Sequence, residues 1–512
     1  MAVKLIMLII FFGIMIGVGV MTRKHASSVN GFVLGGRNVG PWLTAFAYGT
    51  SYFSAVVFVG YAGQFGWKYG LASTWIGLGN AILGSLLAWV VLGRRTRIMT
   101  KHLQAATMPD FFGKRFSSNA LRIAASAIVF VFLIPYTASL YNGLSRLFGM
   151  SFNIPYEMCV ILMATLTGVY VILGGYMATA INDFIQGIIM IGGIIAVIAA
   201  VLNGQGGFIE AVKNLSVLES DVPITLGQQG AFASFFGPDP LNLLGVIVLT
   251  SLGTWGLPQM VHKFYTIKDE KAVKTGTIIS TLFAVIISGG CYFLGGFGRL
   301  FDSPELYAAD GTIIYDAIIP QMLSSLSDVL IGIVVILVLS ASMSTLSSLV
   351  LTSSSTLTLD FIKGNLAKNL SEKKQLLIMR ILIVFFIAIS VVLALDPPTF
   401  IAQLMGISWG ALAGAFLAPF LYGLFWKGTT RAGVWASFIV GVGITVANMF
   451  LHFIESSINA GAVAMVAGLI VVPVVSLLTP KMEKKQVEEI FTCYDEEVHV
   501  KRKVALPEKE GN

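Results

Sequence analysis

The chain has 512 residues, of which 56% are hydrophobic and 12% charged, and it carries a net charge of +7. Charged residues are about half as frequent as in a soluble globular domain, which excludes a water-soluble fold for a chain of this length. The basic excess lies in short loops between apolar runs, a pattern that orients a membrane protein and calls for no nucleic acid.

In chain order, the first apolar stretch runs from Leu5 to Val20. It lacks a small-residue cleavage site and leads into basic residues, as a retained helix does and a signal peptide does not. Stretches long enough to cross a hydrocarbon core of about 30 Å then recur throughout. Spans are expected at 3–22, 41–66, 72–93, 120–146, 156–174, 183–203, 241–262, 275–298, 326–358, 377–395, 399–425, 432–453 and 461–479, thirteen in all. With the N-terminus outside, the segments 23–38, 94–122, 263–274, 361–380, 427–431 and 481–512 are cytoplasmic and hold 28 of the 33 Lys and Arg residues. That bias predicts an odd number of spans, an external N-terminus and a cytoplasmic C-terminus. The loops at 204–240 and 299–325 are external and mostly acidic. The tail over 481–512, with Lys484, Lys485, Glu488, Glu489, Asp495, Glu496 and Glu497, reads as a solvated cytoplasmic segment too short for a catalytic or signalling domain. Cys159, Cys291 and Cys493 show no CxxC spacing, and the histidines are scattered, so neither a disulfide framework nor a metal cluster is expected.

Four features carry chemistry. The second span, AFAYGTSYFSAVVFVG, has Gly49, Thr50 and Ser51 near its middle, and the seventh, LTSLGTWGLP, has Gly253, Gly256 and Pro258 close together. Unsatisfied backbone in lipid costs several kcal/mol, so an interrupted helix must line a cavity or an ion. A matched pair of interrupted spans, five helices apart, marks an inverted-repeat transporter with its site at the midplane; the plainer reading is glycine-mediated helix packing. In the ninth span Ala341, Ser344, Thr345 and Ser348 follow i, i+3, i+4, i+7 and share one face. Hard oxygens there can replace the hydration shell of a small cation, although serine and threonine often bond back to their own helix. Asp183, at the start of the sixth span, is either a functional ionisable group or a helix cap. No Lys or Arg is expected in the middle of a span. No nucleophile–base pair appears in the spans, so an enzyme is not expected.

LGGRNVG (34–40), MPDFF (108–112), GGYMATAINDFIQ (174–186), GLPQMVHKF (256–264) and SMSTLSS (342–348) occur in an order that resembles the sodium:solute symporter family, over residues 3 to 480. The resemblance implies an all-α integral membrane fold of LeuT type, two inverted five-helix repeats with discontinuous second and seventh helices. The expected division is a first helix and loop over 1–40, repeats over 41–203 and 241–425 joined by the extracellular loop 204–240, two more helices over 426–480, and the tail. It further implies a Na+ site made by the carbonyls of Thr50, Phe53 and Ala341 with the hydroxyls of Ser344 and Thr345. A second Na+ would use Asp183, Ser344, Ser347 and Ser348. Substrate-pocket positions are Tyr52, Ser54, Asn80, Tyr136, Thr254, Trp255 and Gln259. Proline carriers have an aspartate where this chain has Tyr52, and aromatics near Thr250 and Thr254 are missing here. The function implied is sodium-coupled import, across a bacterial plasma (inner) membrane, of a small polar organic solute: sialic acid, pantothenate or another carboxylate or amino acid. The alternatives are proton coupling on the same fold, with Asp183 as the titrating group, or a channel or sensor derived from it. Membrane lipid is the expected surrounding partner.

Overall fold

The computed structural model describes residues 2–152, 155–396 and 401–495; the tail residues 496–512, with Glu496 and Glu497, lie outside the described residues. Among the described residues, ten helices are long and apolar enough to cross a membrane. An eleventh is added if the bent pair Pro240–Gly256 and Pro258–Thr266, at 46° to each other, is one span. The difference from thirteen has a local cause. The segments Val56–His102 and Tyr156–Gly204 are 47 and 49 residues of nearly continuous helix. At 1.5 Å per residue each is about 70 Å long, more than twice the hydrocarbon thickness. Both turn at a glycine: Gly70 has φ 59°, and Gly175 has φ 54° and ψ −145°. Successive helices here follow each other without a loop, where the sequence pattern suggested one.

Burial sorts the helices. The hydroxyl-rich helix Asp328–Thr356 is enclosed along nearly its whole length, and every residue from Val334 to Thr356 is buried. It packs against Tyr156–Gly204, Asn119–Phe152 and Pro41–Tyr52. By contrast Glu372–Leu395 turns Leu377, Ile381, Val384 and Phe385 outward, an apolar face that fits lipid and would be costly in water. Small residues let backbones approach closely. A Cβ on Gly66 would stand 2.0 Å from the Gly295 carbonyl oxygen, and one on Gly295 would stand 2.1 Å from that of Ala62. Without a hydrophobic drive between helices in lipid, such close packing is what holds them.

One loop fixes the inner end of the bent pair. The Val39 amide donates to the Thr266 carbonyl at 3.1 Å, and the Lys268 amide donates to Val39 at 3.1 Å. Arg37 donates to the Tyr265 carbonyl at 3.2 Å and to the Ala105 carbonyl. Burial, and after it the neighbouring Arg97, push the Arg37 guanidinium down to about 10, so it keeps its charge at physiological pH. The short helix Pro258–Thr266 is thereby tethered at its C-terminal end, where a charged donor suits the unpaired carbonyls.

Candidate functional site

The helix Pro41–Tyr52 stops at Tyr52; Phe53 is extended, with φ −106° and ψ 96°, and helical winding resumes at Ala55. The break lies after Gly49, Thr50 and Ser51, not at them. Gly49 serves packing instead: a Cβ there would meet the Phe283 ring at 2.4 Å. Ending the helix frees its last carbonyls. That of Thr50 accepts a hydrogen bond from Thr345 Oγ1 at 3.1 Å, and the same hydroxyl lies 3.1 Å from the Ala341 carbonyl. Three oxygens from two helices therefore converge in a fully buried place. A cavity beside them is lined by Phe53, Ser54, Phe58, Met190, Leu337 and Ala341, among others. Hard oxygen donors of this kind, two neutral carbonyls and a hydroxyl, suit a small weakly acidic cation. Phe53, the third carbonyl residue expected for the site, is the extended residue at which the helix is interrupted.

One turn further along, Ser348 Oγ lies 2.9 Å from Ser51 Oγ. The Ser347 hydroxyl donates to its own helix, to the Ser344 carbonyl at 2.8 Å. Ser344 Oγ and the Asp183 carboxylate are buried beside each other, within loose hydrogen-bonding reach. The cation facing them is Lys263, whose Nζ donates to Ser348 Oγ at 2.9 Å and lies 3.9 Å from Asp183 Oδ2. Lys263 is 1% exposed. Read from sequence it belongs to a cytoplasmic loop with Lys268, Lys271 and Lys274; the structure corrects that reading, since the helix Pro258–Thr266 carries it into the interior. The signal available was its place between apolar and aromatic residues, in Met260-Val261-His262-Lys263-Phe264-Tyr265.

The pocket positions divide. Tyr52 donates to the Thr250 carbonyl at 2.5 Å, and Asn80 is held between Ser288 and Ser251, each at 3.1 Å. Thr254 and Trp255 donate to the carbonyls of Gly84 and Leu83 at 3.1 Å and 2.9 Å. Those carbonyls belong to a π-helical stretch, Asn80–Leu87. Ser54 Oγ accepts from the Val56 amide at 3.2 Å, capping the resumed helix. Gln259 differs from these, since both its amide atoms are buried without a hydrogen-bond partner, and the Tyr136 hydroxyl lies loosely between Ser54 and Trp409. Trp409, absent from the sequence-based set, packs against the rings of Tyr52 and Tyr136 with centroids 6.1 Å and 6.0 Å away, and its indole lies within loose hydrogen-bonding reach of the Tyr136 hydroxyl. A single indole in the small-residue run Gly406–Gly414 was the sign of it.

The profile of the sodium:solute symporter family matches residues 32–441. The chain belongs to the sodium:solute symporter family. As a member it is a membrane transporter, and it couples solute import to Na+. The sodium/proline symporter of Staphylococcus aureus strain JH9 is 29% identical over 509 residues, covering 94% of this chain and 93% of that one. The same protein from strain COL is equally similar. Among solved structures, the substrate-bound outward-open state of a Na+-coupled sialic acid symporter superposes with a TM-score of 0.77 at 18% identity, over 94% of this chain and 98% of that one. A nucleobase-cation-symport-1 family transporter in a closed conformation follows, with a TM-score of 0.54 at 12% identity, over 90% and 97% of the two chains. At these identities the superpositions speak for a shared fold alone.

Proposed function

We propose that this symporter binds Na+ between the interrupted helix and the hydroxyl-rich helix, and imports a small solute bearing a carboxylate. The observation that carries it is the Thr345 hydroxyl, held at 3.1 Å from both the Thr50 and the Ala341 carbonyl oxygens. In this arrangement one proton serves two acceptors. An arriving Na+ takes the proton's place, the hydroxyl turns to present a lone pair, and Phe53 O and Ser344 Oγ complete the shell. The ion thereby ties the two helices together and sets the solute pocket. Gln259, with free hydrogen-bonding capacity, lines that pocket together with Tyr136; Tyr52, Ser54, Asn80, Thr254 and Trp255 shape it from positions already bonded. Asp183, Ser344, Ser347 and Ser348 make a second cation site one turn away.

The molecule is proposed to have thirteen spans, each long helix counting twice across its glycine turn, with repeats over 41–203 and 241–425 and the N-terminus outside. Sodium then enters from outside and leaves into the dilute cytoplasm as the loaded core rocks between its two openings. The solute class is supported by the two relatives, one named for proline and one for sialic acid, which both carry a carboxylate.

Purified protein is to be melted with sialic acid, pantothenate, proline, short monocarboxylates and sugars, in NaCl and in choline chloride. A carboxylate-bearing ligand that raises the melting temperature only in NaCl is the expected result. A ligand that stabilises equally in choline chloride removes the assignment of Ser344 and Thr345.

A further inference from the structure

A buried carboxylate needs a cation, and this chain brings its own. Asp183 is fully buried and Lys263 nearly so, with Nζ 3.9 Å from Oδ2. An isolated carboxylate in such a place would be neutralised or expelled; a cation beside it is what makes the charge tolerable. The ammonium has three hydrogens to place. One goes to Ser348 Oγ at 2.9 Å, Asp183 Oδ2 lies 3.9 Å from Nζ, and the face of Tyr176 lies 5.4 Å from it. The remaining neighbour, His262, sets its ring edgewise to Tyr176. Among the described residues around this place, then, the pair consists of one carboxylate and one ammonium.

Ser348 and Asp183 are two of the four oxygen donors of the second cation site. Lys263 uses both. A sodium ion placed among the same oxygens would stand within a few ångström of the ammonium, with a single negative charge to balance two positive ones in a water-free interior. Ser51 also occupies Ser348 on its other side, at 2.9 Å, and Ser347 is turned to its own helix. At the first site, by contrast, the Thr345 hydroxyl donates to two carbonyls, and among the described residues no ion pair or cation hydrogen bond reaches it.

We propose that the Lys263 ammonium is a resident, tethered cation in the Asp183–Ser348 site, so that this symporter binds one sodium ion, not two. The proposal rests on the reading of Thr50, Ala341 and Thr345 as the first sodium site. Because Lys263 stands on the short helix that follows the break at Leu257, it also ties that helix to the hydroxyl-rich helix by the contact a second ion would make.

The test counts ions directly, by saturation binding of radioactive 22Na+ to purified, detergent-solubilised full-length protein in the absence of solute. The wild-type chain is expected to hold one sodium, and Lys263→Gln, purified in sodium throughout, two. The extra ion is lost again when Asp183→Asn is added to Lys263→Gln. No additional sodium in Lys263→Gln overturns the proposal, as does a wild-type count of two. Melting supplies a second readout that needs no stoichiometric count. Lys263→Gln leaves Asp183 dependent on an external cation, so its melting temperature rises more steeply with NaCl against choline chloride than the wild type's; an equal slope overturns the proposal. Asp183→Asn alone supplies a third: a wild-type chain that used Asp183 for sodium would lose an ion in it, and such a loss overturns the proposal too. Failure of the underlying reading shows separately, as a Thr345→Ala chain that keeps its sodium, while the difference of one ion between wild type and Lys263→Gln still decides the lysine.

Discussion

Thr345 is the residue on which most depends, because its one hydroxyl spans two carbonyls from separate helices. Oxygen contacts to a charged partner are worth about 1.5–3 kcal/mol each. Thr345→Ala should therefore raise the sodium concentration needed for half-maximal uptake by roughly tenfold to a hundredfold, whereas Thr345→Ser, which keeps the oxygen, should recover most of that loss. Half-maximal sodium in a vesicle uptake assay that stays within twofold of wild type in Thr345→Ala would place the ion elsewhere. Gln259 permits a different test, since both polar atoms of its buried amide lack a partner. A buried amide left unsatisfied costs about 1–3 kcal/mol, so Gln259→Leu should melt at the same or a higher temperature than wild type without solute. The solute-dependent rise in melting temperature should then shrink or vanish. A residue that merely packed helices would move both measurements together, and that outcome would remove Gln259 from the pocket.

At the scale of elements, the turn inside Tyr156–Gly204 depends on a single backbone conformation. Gly175 has φ 54° and ψ −145°, and a Cβ there would stand 2.8 Å from Phe32 ring and carbonyl atoms. Side chains tolerate that region at a cost of about 1–3 kcal/mol, so Gly175→Ala should lower the melting temperature and the yield of folded protein. Gly192 lies in the same helix with nothing within 4 Å of its would-be Cβ; Gly192→Ala should be neutral or stabilise by about 0.5–1 kcal/mol. Equal melting temperatures for the two variants would refute the strain at Gly175. These elements also show what a sequence can reveal. Apolar length and loop charge made the helical, membrane-spanning class legible, and the period of 3.6 placed Thr345 and Ser348 on the face that meets the helix Pro41–Tyr52. The interruption itself was displaced, because a glycine inside a membrane helix signals a close neighbour as readily as a break, and Gly49 has Phe283 against it. Lys263 was hidden by its position. A lysine near the end of an apolar run looks like loop charge until the bend at Leu257 turns its helix inward.

For the whole molecule the question is how much accumulation the ion gradient sustains, and stoichiometry sets the answer. One charge crossing 100 mV yields about 2.3 kcal/mol, and a tenfold sodium gradient adds about 1.4 kcal/mol. A single sodium thus sustains roughly 500-fold accumulation of a neutral or zwitterionic solute, and two would sustain about 10⁵. Voltage alone does not separate these cases, since two sodium ions with a monovalent anion move the same net charge as one sodium with a zwitterion. The sodium gradient does separate them, because it counts ions regardless of the solute's charge. In sealed proteoliposomes at fixed potential, a tenfold change in the sodium gradient should change steady-state accumulation about tenfold if Lys263 fills the second site, and about a hundredfold if sodium does. Repeating the measurement at fixed sodium while a potassium gradient sets the potential then gives the charge of the solute by difference. A tenfold response to sodium with the same response to about 60 mV means an electrically neutral solute. The same sodium response with no response to voltage means an anion travelling with its single ion. In Lys263→Gln the sodium response should steepen toward a hundredfold, so that removing one buried positive charge from the protein is read out as one more transported from the medium.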